Sequence, residues 1–304
     1  MSNVLVLGIK GMLGSMVYNY FYKHTNHKTA GSLRGAKEGF FFNDNSNCFQ
    51  LNAEENLEMQ LTKICRDFRP DYIINTIGII KPYCKDNDMN GVLNAVRINS
   101  LFPHLLSKFC AITYPDIKII QIATDCVYSG RKGNYIESDP HDPIDVYGKT
   151  KSLGEVISGN LLNIRCSIIG PEIKGNLSIL EWFLSHSANT HLTGFSHHRW
   201  NGMTTLQFAE ACNDIISNNK FDQLRKLNFS LHYILNETVN KYELLNILNE
   251  VYDRNYIIEN RADIGEPIDR SLASKYIYFQ ICSMRTALQN LFNYCKESQV
   301  FLIT

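Results

Sequence analysis

The sequence carries no surplus of charge of either sign: thirty Lys and Arg balance thirty Asp and Glu. Without a basic excess or a polybasic run, nucleic acid and anionic membranes are poor partners, and a small molecule is the better expectation. No apolar run is long enough to span a bilayer. The first residues read as a structural strand instead of a charged, apolar and cleavable leader, so a cytoplasmic protein is expected. Its nine cysteines are an odd number, with no C-x-x-C and no histidine spacing that closes a zinc site. They read as reduced thiols, and no metal is expected. Repeats and low-complexity linkers are also lacking, so any lobes should be packed together and not tethered. What is present is 304 residues, 44% apolar and 20% charged, enough for one large core or two lobes sharing one.

The opening stretch VLVLGIKGMLGSMVYNYFY joins an apolar strand, a glycine turn and an apolar helix. Gly8, Gly11 and Gly14 stand in the pattern G-x-x-G-x-x-G, with Lys10, Met12 and Leu13 between them. Glycine permits the tight turn, lets a pyrophosphate approach the backbone and lets the helix pack closely on the sheet, with phosphate charge at the helix N-terminus. A dinucleotide-binding turn is expected. The second strand, in HKTAGSLRG, should end beside the adenosine ribose, where sites for NAD(H) place an acid. Here Ser32 and Arg34 stand instead, and with Lys10 they suit a 2′-phosphate, so NADP(H) is expected over NAD(H). The other reading of Arg34 is a solvated loop cation.

The stretch Ile119 to Glu155 carries the chemistry. An apolar run ending at Ala123 reads as a buried parallel strand, so Thr124, Asp125 and Cys126 should open into the crevice at its carboxyl end. Tyr147 and Lys151 are four apart in YGKTKSLGE, on one face of a helix. A free tyrosine has a pKa near 10, and a neighbouring ammonium should lower it, making Tyr147 a usable acid toward a carbonyl oxygen. Thr124 can donate to that same oxygen, and Lys151 is long enough to reach a cofactor ribose. Taken alone, Tyr-x-x-x-Lys is also the pattern of a solvated helix face.

These motifs, with Asn75 in INTIG, Asn99 in RINSLFPHLLSKFC, TDCVYSG and YGKTK, resemble the extended short-chain dehydrogenase/reductase superfamily. Within it they are most similar to dTDP-4-dehydrorhamnose reductases and related nucleotide-sugar enzymes. The resemblance implies an α/β fold, a Rossmann doubly wound parallel sheet with a smaller C-terminal substrate-binding lobe. It also implies that Asn75 and Gly78 turn over the cofactor, and that Asn99 supports Lys151 through water, a surface-facing Asn99 being the alternative. Family members commonly place an acid before the position of Leu51 to bind adenine; Gln50 departs from that. The substrate implied is a UDP- or dTDP-linked 4-keto-6-deoxyhexose. Cys126 stands where bifunctional epimerase/reductases such as GDP-fucose synthase carry a cysteine. That implies C3/C5 epimerisation with Lys174, Glu181 or His186 as partner base, unless the thiol is only packing. The same resemblance extends to regulatory subunits that bind NADP(H) without turnover.

The expected division is 1–170 for the nucleotide domain, with a strand near 225–235 returning to it, and 171–304 mainly for the substrate lobe. Candidate substrate contacts are Lys81, Asp125 and His186, the cluster His197, His198, Arg199 and Trp200, and Arg270 in PIDRSLASK. Arginine forks fit phosphate oxygens, and a tryptophan face packs on a sugar ring. HHRW as a plain surface loop is the competing reading. A homodimer is compatible with all of this.

Overall fold

The computed structural model describes residues 1–35, 47–173 and 175–298. Six strands, β1 (Asn3–Leu7), β2 (Lys28–Leu33), β3 (Cys48–Gln50), β4 (Tyr72–Asn75), β5 (Lys118–Thr124) and β6 (Leu161–Cys166), join the strand Ser230–His232 in one seven-stranded sheet. From the late strand across to β3 the order is Ser230–His232, β6, β5, β4, β1, β2, β3, with every pairing parallel. This is the Rossmann arrangement expected. Its strand order reverses between β1 and β4, so a crevice opens at their carboxyl ends.

Both faces of the sheet are covered, and its strands are accordingly rich in buried apolar residues. Val4 and Val6 pack against α1 (Met12–His24) on one side, while Leu5 and Leu7 pack toward α2 (Leu57–Phe68) on the other. Leu61, Ile64 and Phe68 of α2 lie inside, while Met59 is exposed. The segment around Asn99 runs as α3 (Met89–Ala95), a π-helical turn (Val96–Leu101) and α4 (Phe102–Thr113). Next comes α5 (Val146–Leu153), which carries Tyr147 and Lys151.

Beyond Cys166 the chain leaves the large sheet. Ile168–Ile169 pairs with Met203–Thr204. His198–Trp200 lies between Val239–Asn240 and Ile268–Asp269, and His191–Gly194 pairs with Ile257–Asn260. Among these ribbons in chain order come α6 (Ile179–Leu184), α7 (Thr205–Ser217), which packs on α1, α8 (Phe221–Leu227), which packs on β6, and α9 (Lys241–Val251), and α10 (Met284–Ser298) closes the described chain. Thr204 caps α7 in a reciprocal capping box with Gln207. The last helix, α10, had no expectation attached to it.

Candidate active site

A cavity of about 520 Å³ opens at the carboxyl ends of β1, β4 and β5. It is lined by Lys10, Gly11, Met12 and Leu13 from the glycine turn, Gly78 and Lys81 from the segment after β4, and Thr124, Asp125, Cys126, Tyr147 and Lys151. Eleven of the residues singled out in the sequence therefore meet in one place.

The glycine turn is built for close approach. Gly8 has φ +84°, and a Cβ on Gly14 would lie 2.2 Å from the Gly8 carbonyl oxygen, so α1 can start only where both are glycine. The N-terminus of α1 has Gly11 as its cap, with no side-chain acceptor and no acid in its first turn. Its amides and dipole are thus left to an outside anion, which fits the phosphates of a dinucleotide.

The second half of the cluster is fixed by equally tight packing. Asp145 caps α5 through Oδ1, which accepts the Gly148 amide at 2.8 Å, while its Oδ2 pairs with Lys81 Nζ at 2.7 Å. Burial pushes the Asp145 carboxyl up, but these bonds outweigh it and hold its pKa below the usual range. A Cβ on Gly148 would meet the Cys126 carbonyl oxygen at 2.3 Å, so glycine lets α5 lie against the turn that holds Cys126. At the other end of α5, a Cβ on Gly154 would fall 1.8 Å from the Asn99 carbonyl oxygen.

The electrostatics overturn one expectation. Lys151, only 6% exposed, donates from Nζ to the Ile122 carbonyl at 2.8 Å, and burial lowers its pKa to about 8. It does not overcome burial at Tyr147. Burial dominates there and raises the phenol, with the Thr124 hydroxyl opposing through a hydrogen bond. Tyr147 is a protonated donor. Thr124 Oγ1 also donates to Asp125 Oδ1 at 3.2 Å and accepts from the Cys126 amide at 3.2 Å. Asp125 is raised by burial, against the nearby Arg270 cation. Burial, then Asp125, pushes the Cys126 thiol up to about 12.

Several other residues have structural partners. Ser32 is buried, its Oγ accepting the Gly8 amide at 3.3 Å, so it braces the glycine turn and does not present itself to a ribose phosphate. Arg34 is exposed just past β2. Gln50 is exposed at the end of β3, and Leu51 is buried. Asn75 is buried, donating to Gln121 Oε1 at 2.6 Å and accepting the Ile77 amide. Asn99 is not surface-facing: its amide clamps the Ile79 backbone, accepting from N and donating to O, and reaches Thr150 Oγ1 at 3.3 Å.

Beyond β6, the expected recognition residues stand away from this cavity. Arg270 donates to the Tyr128 and Ser129 carbonyls at 3.0 and 3.2 Å. Arg199 faces Asp269 at 3.8 Å, and the Trp200 ring lies over Gly202, where a Cβ would meet it at 1.6 Å. His186 bonds the Trp182 carbonyl. None of these four, nor Glu181, lines the cavity, and Lys174 lies outside the described residues. The wall that the sequence reading missed is formed by Tyr83 and by Ile168, Glu172, Ile173, Leu177 and Ile179. Glu172 holds the bend in that wall, its carboxylate accepting the Leu177 and Ser178 amides. Asp145 was missed as well, although an Asp three residues before Gly148 is an N-cap signal.

The chain is similar in fold to a dTDP-4-dehydrorhamnose reductase from Clostridium acetobutylicum, with TM-score 0.70 and 16% identity over 97% of this chain and 99% of that one. It is also similar to dTDP-4-dehydrorhamnose reductase from Bacillus anthracis str. Ames in complex with NADP, with TM-score 0.72 and 15% identity over 96% and 99%. In sequence it is 27% identical over 255 residues to methionine adenosyltransferase 2 subunit beta of Bos taurus, covering 79% of this chain and 69% of that protein. The family model of the RmlD substrate binding domain matches residues 1–244. The chain belongs to the RmlD substrate-binding domain family.

Proposed function

We propose that this chain reduces the C4 carbonyl of a nucleotide-linked 4-keto-6-deoxyhexose, UDP- or dTDP-linked, with NADPH. The observation that carries the reading is the shared cavity: an uncapped helix N-terminus at one end and Thr124, Tyr147 and Lys151 at the other. When bound, a nicotinamide dinucleotide supplies the hydride. Met12 and Leu13 would hold its phosphates by their amides, with Lys10 beside them. Arg34 would take the 2′-phosphate, since β2 ends without an acid.

The chain's own part is proton delivery and orientation. Thr124 positions the sugar carbonyl, and Tyr147, kept protonated by burial, gives its proton to the oxygen as the alkoxide forms. Lys151, a cation at neutral pH, stabilises the phenolate left behind. The apolar wall of Ile168, Ile173, Leu177 and Ile179 suits the methyl of a 6-deoxy sugar and excludes water. Epimerisation would need Cys126 and a second group on the opposite face of the sugar ring; Glu181 and His186 stand off the cavity wall, and Lys174 lies outside the described residues.

The test is NADPH oxidation by the purified chain with UDP- and dTDP-4-keto-6-deoxy sugars generated in situ in deuterated water. Oxidation without enzyme-dependent deuterium at C3 or C5 is expected; uptake there would add epimerisation. A second reading is favoured by the likeness to methionine adenosyltransferase 2 subunit beta: a subunit that binds the dinucleotide and turns over nothing. It is selected if NADPH binds tightly and no keto sugar oxidises it.

A further inference from the structure

We propose that Lys81 is a positioning residue for Tyr147: through Asp145 it holds the first turn of α5, and with it the phenol, at the edge of the cavity. The inference rests on the reductase reading above and deepens it.

Two segments distant in the chain meet beside the cavity. The stretch after β4 lines it from Ile79 to Tyr83, and α5 begins against that stretch at Asp145. The second turn of α5 is stitched from within the protein. Buried Asn99 accepts the Ile79 amide at 2.8 Å, donates to the Ile79 carbonyl at 3.0 Å and reaches Thr150 Oγ1 at 3.3 Å, while Ser100 Oγ donates to the Thr150 carbonyl at 2.8 Å. These bonds place Lys151, one residue on. The first turn, with Tyr147, is held from its end by Asp145.

Asp145 divides its oxygens between the two segments. Oδ1 accepts the amide of Gly148, the residue next to Tyr147, at 2.8 Å, and Oδ2 takes Lys81 Nζ at 2.7 Å. A neutral asparagine caps a helix about as well as aspartate does, so capping alone does not account for a cation on the second oxygen. Nor does stability, because the Lys81 side chain is 58% exposed and such pairs contribute little. What the pair supplies is direction: with Oδ2 taken, Oδ1 is fixed on the helix. Lys81 is itself set by its backbone, since Pro82 stiffens the 3₁₀ turn Lys81–Tyr83 and the Cys84 amide closes it on the Lys81 carbonyl at 3.0 Å.

Burial raises the Asp145 carboxyl, against the bonds from Lys81 and the Gly148 amide and the charges of Lys81 and Arg270. The other titratable groups around it are the Cys84 thiol, which burial and then Asp145 raise, and Asp125 and Cys126 on the turn against Gly148, both raised by burial. Removing Lys81 therefore moves Asp145 toward protonation at higher pH.

The experiment compares wild type, Lys81→Met, Lys81→Arg, Asp145→Asn and the double variant Lys81→Met with Asp145→Asn, each checked for folding by thermal melting, in NADPH oxidation with a keto sugar across a range of pH. Lys81→Met is expected to lower kcat about tenfold, to leave KM within about twofold, and to move the acid limb of the kcat profile up by about one pH unit. Lys81→Arg should restore most of kcat. Asp145→Asn keeps an acceptor for the Gly148 amide without a charge to pair; it should lose as much kcat as Lys81→Met, and the double variant should lose no more than either. A Lys81→Met that raises KM and spares kcat makes Lys81 a substrate contact and overturns the proposal, as does a double variant in which the two losses multiply. Fluorine NMR of the chain labelled with fluorotyrosine reads the same displacement without substrate, the Tyr147 signal being assigned by its loss in Tyr147→Phe. That signal should move in both Lys81→Met and Asp145→Asn. If it stays in place the proposal falls, whereas a wild type that oxidises no NADPH sinks the reductase reading and leaves the signal to decide the positioning.

Discussion

Two clusters of polar residues looked equally chemical in the sequence, and they fare differently in the fold. Thr124, Tyr147 and Lys151 converge on one cavity with the glycine turn. In the His197–Trp200 segment, by contrast, Arg199 faces Asp269, Trp200 covers Gly202, and neither reaches the cavity. The difference lies in what surrounds the side chains. The first cluster is framed by glycines at positions where any Cβ would strike backbone oxygen: Gly14 on Gly8, Gly148 on Cys126 and Gly154 on Asn99. Such contacts fix where each neighbouring side chain must stand. HHRW is only an inventory of groups able to bind sugar and phosphate, and nothing in it fixes their direction.

The strongest way to break this contrast is at Tyr147. Tyr147→Phe removes the proton donor and leaves the ring, so turnover should fall by roughly 10²–10⁴, with NADPH affinity little changed. Steady-state rates beside a cofactor titration check this. Retention of most of the turnover would remove Tyr147 from the acid role.

Packing gives the next effect. Gly148→Ala forces a Cβ against the Cys126 carbonyl oxygen, and overpacking of this kind costs about 1–3 kcal/mol. Gly159 supplies the control, because a Cβ there meets nothing within 4 Å. Urea midpoints should separate the two alanine variants clearly; equal midpoints would mean that α5 can shift freely. A smaller difference is expected between two arginines. Arg270→Ala loses bonds to the Tyr128 and Ser129 carbonyls, worth about 1 kcal/mol after allowance for partial exposure. Arg199→Ala, facing an aspartate at 3.8 Å on the surface, should fall within about 0.5 kcal/mol of wild type. If instead Arg199→Ala raised the KM for a keto sugar tenfold, the loop would have to close over the ligand.

The sheet was legible because alternating strands and helices with buried apolar runs admit few other arrangements, and the glycine turn because its spacing follows a strand. What escaped reading depends on long-range burial. Ser32 carries the right hydroxyl for a phosphate, yet its Oγ is taken by the Gly8 amide, a bond between residues 24 apart. Glu172 and the apolar wall from Ile168 to Ile179 have no local signature, since they matter only through where the chain turns after leaving β6. The direction of the Tyr147 shift was also misread. Nearness to a cation was legible, but the burial that outweighs it was not.

Lys151 gives the finest test of that last point. An unfolded lysine titrates near 10.4, while burial lowers the native group to about 8. Above the native value and below the unfolded one, the unfolded chain binds more protons, so this group makes stability rise with pH. The increment between about pH 7 and 8.5 should be less than about 1 kcal/mol, since the slope cannot exceed about 1.4 kcal/mol per unit for one proton. The cysteines work the other way. Burial pushes Cys65 and Cys84 up to about 11 and Cys110 up to about 12, so the unfolded thiols ionise first and stability falls as pH climbs past about 8.5. Lys151→Met shares those thiols, and subtracting its denaturation free energies from those of wild type isolates the lysine. A difference that grows with pH supports a buried, half-neutralised ammonium beside Tyr147. Parallel curves would mean that Lys151 keeps its full charge across this range.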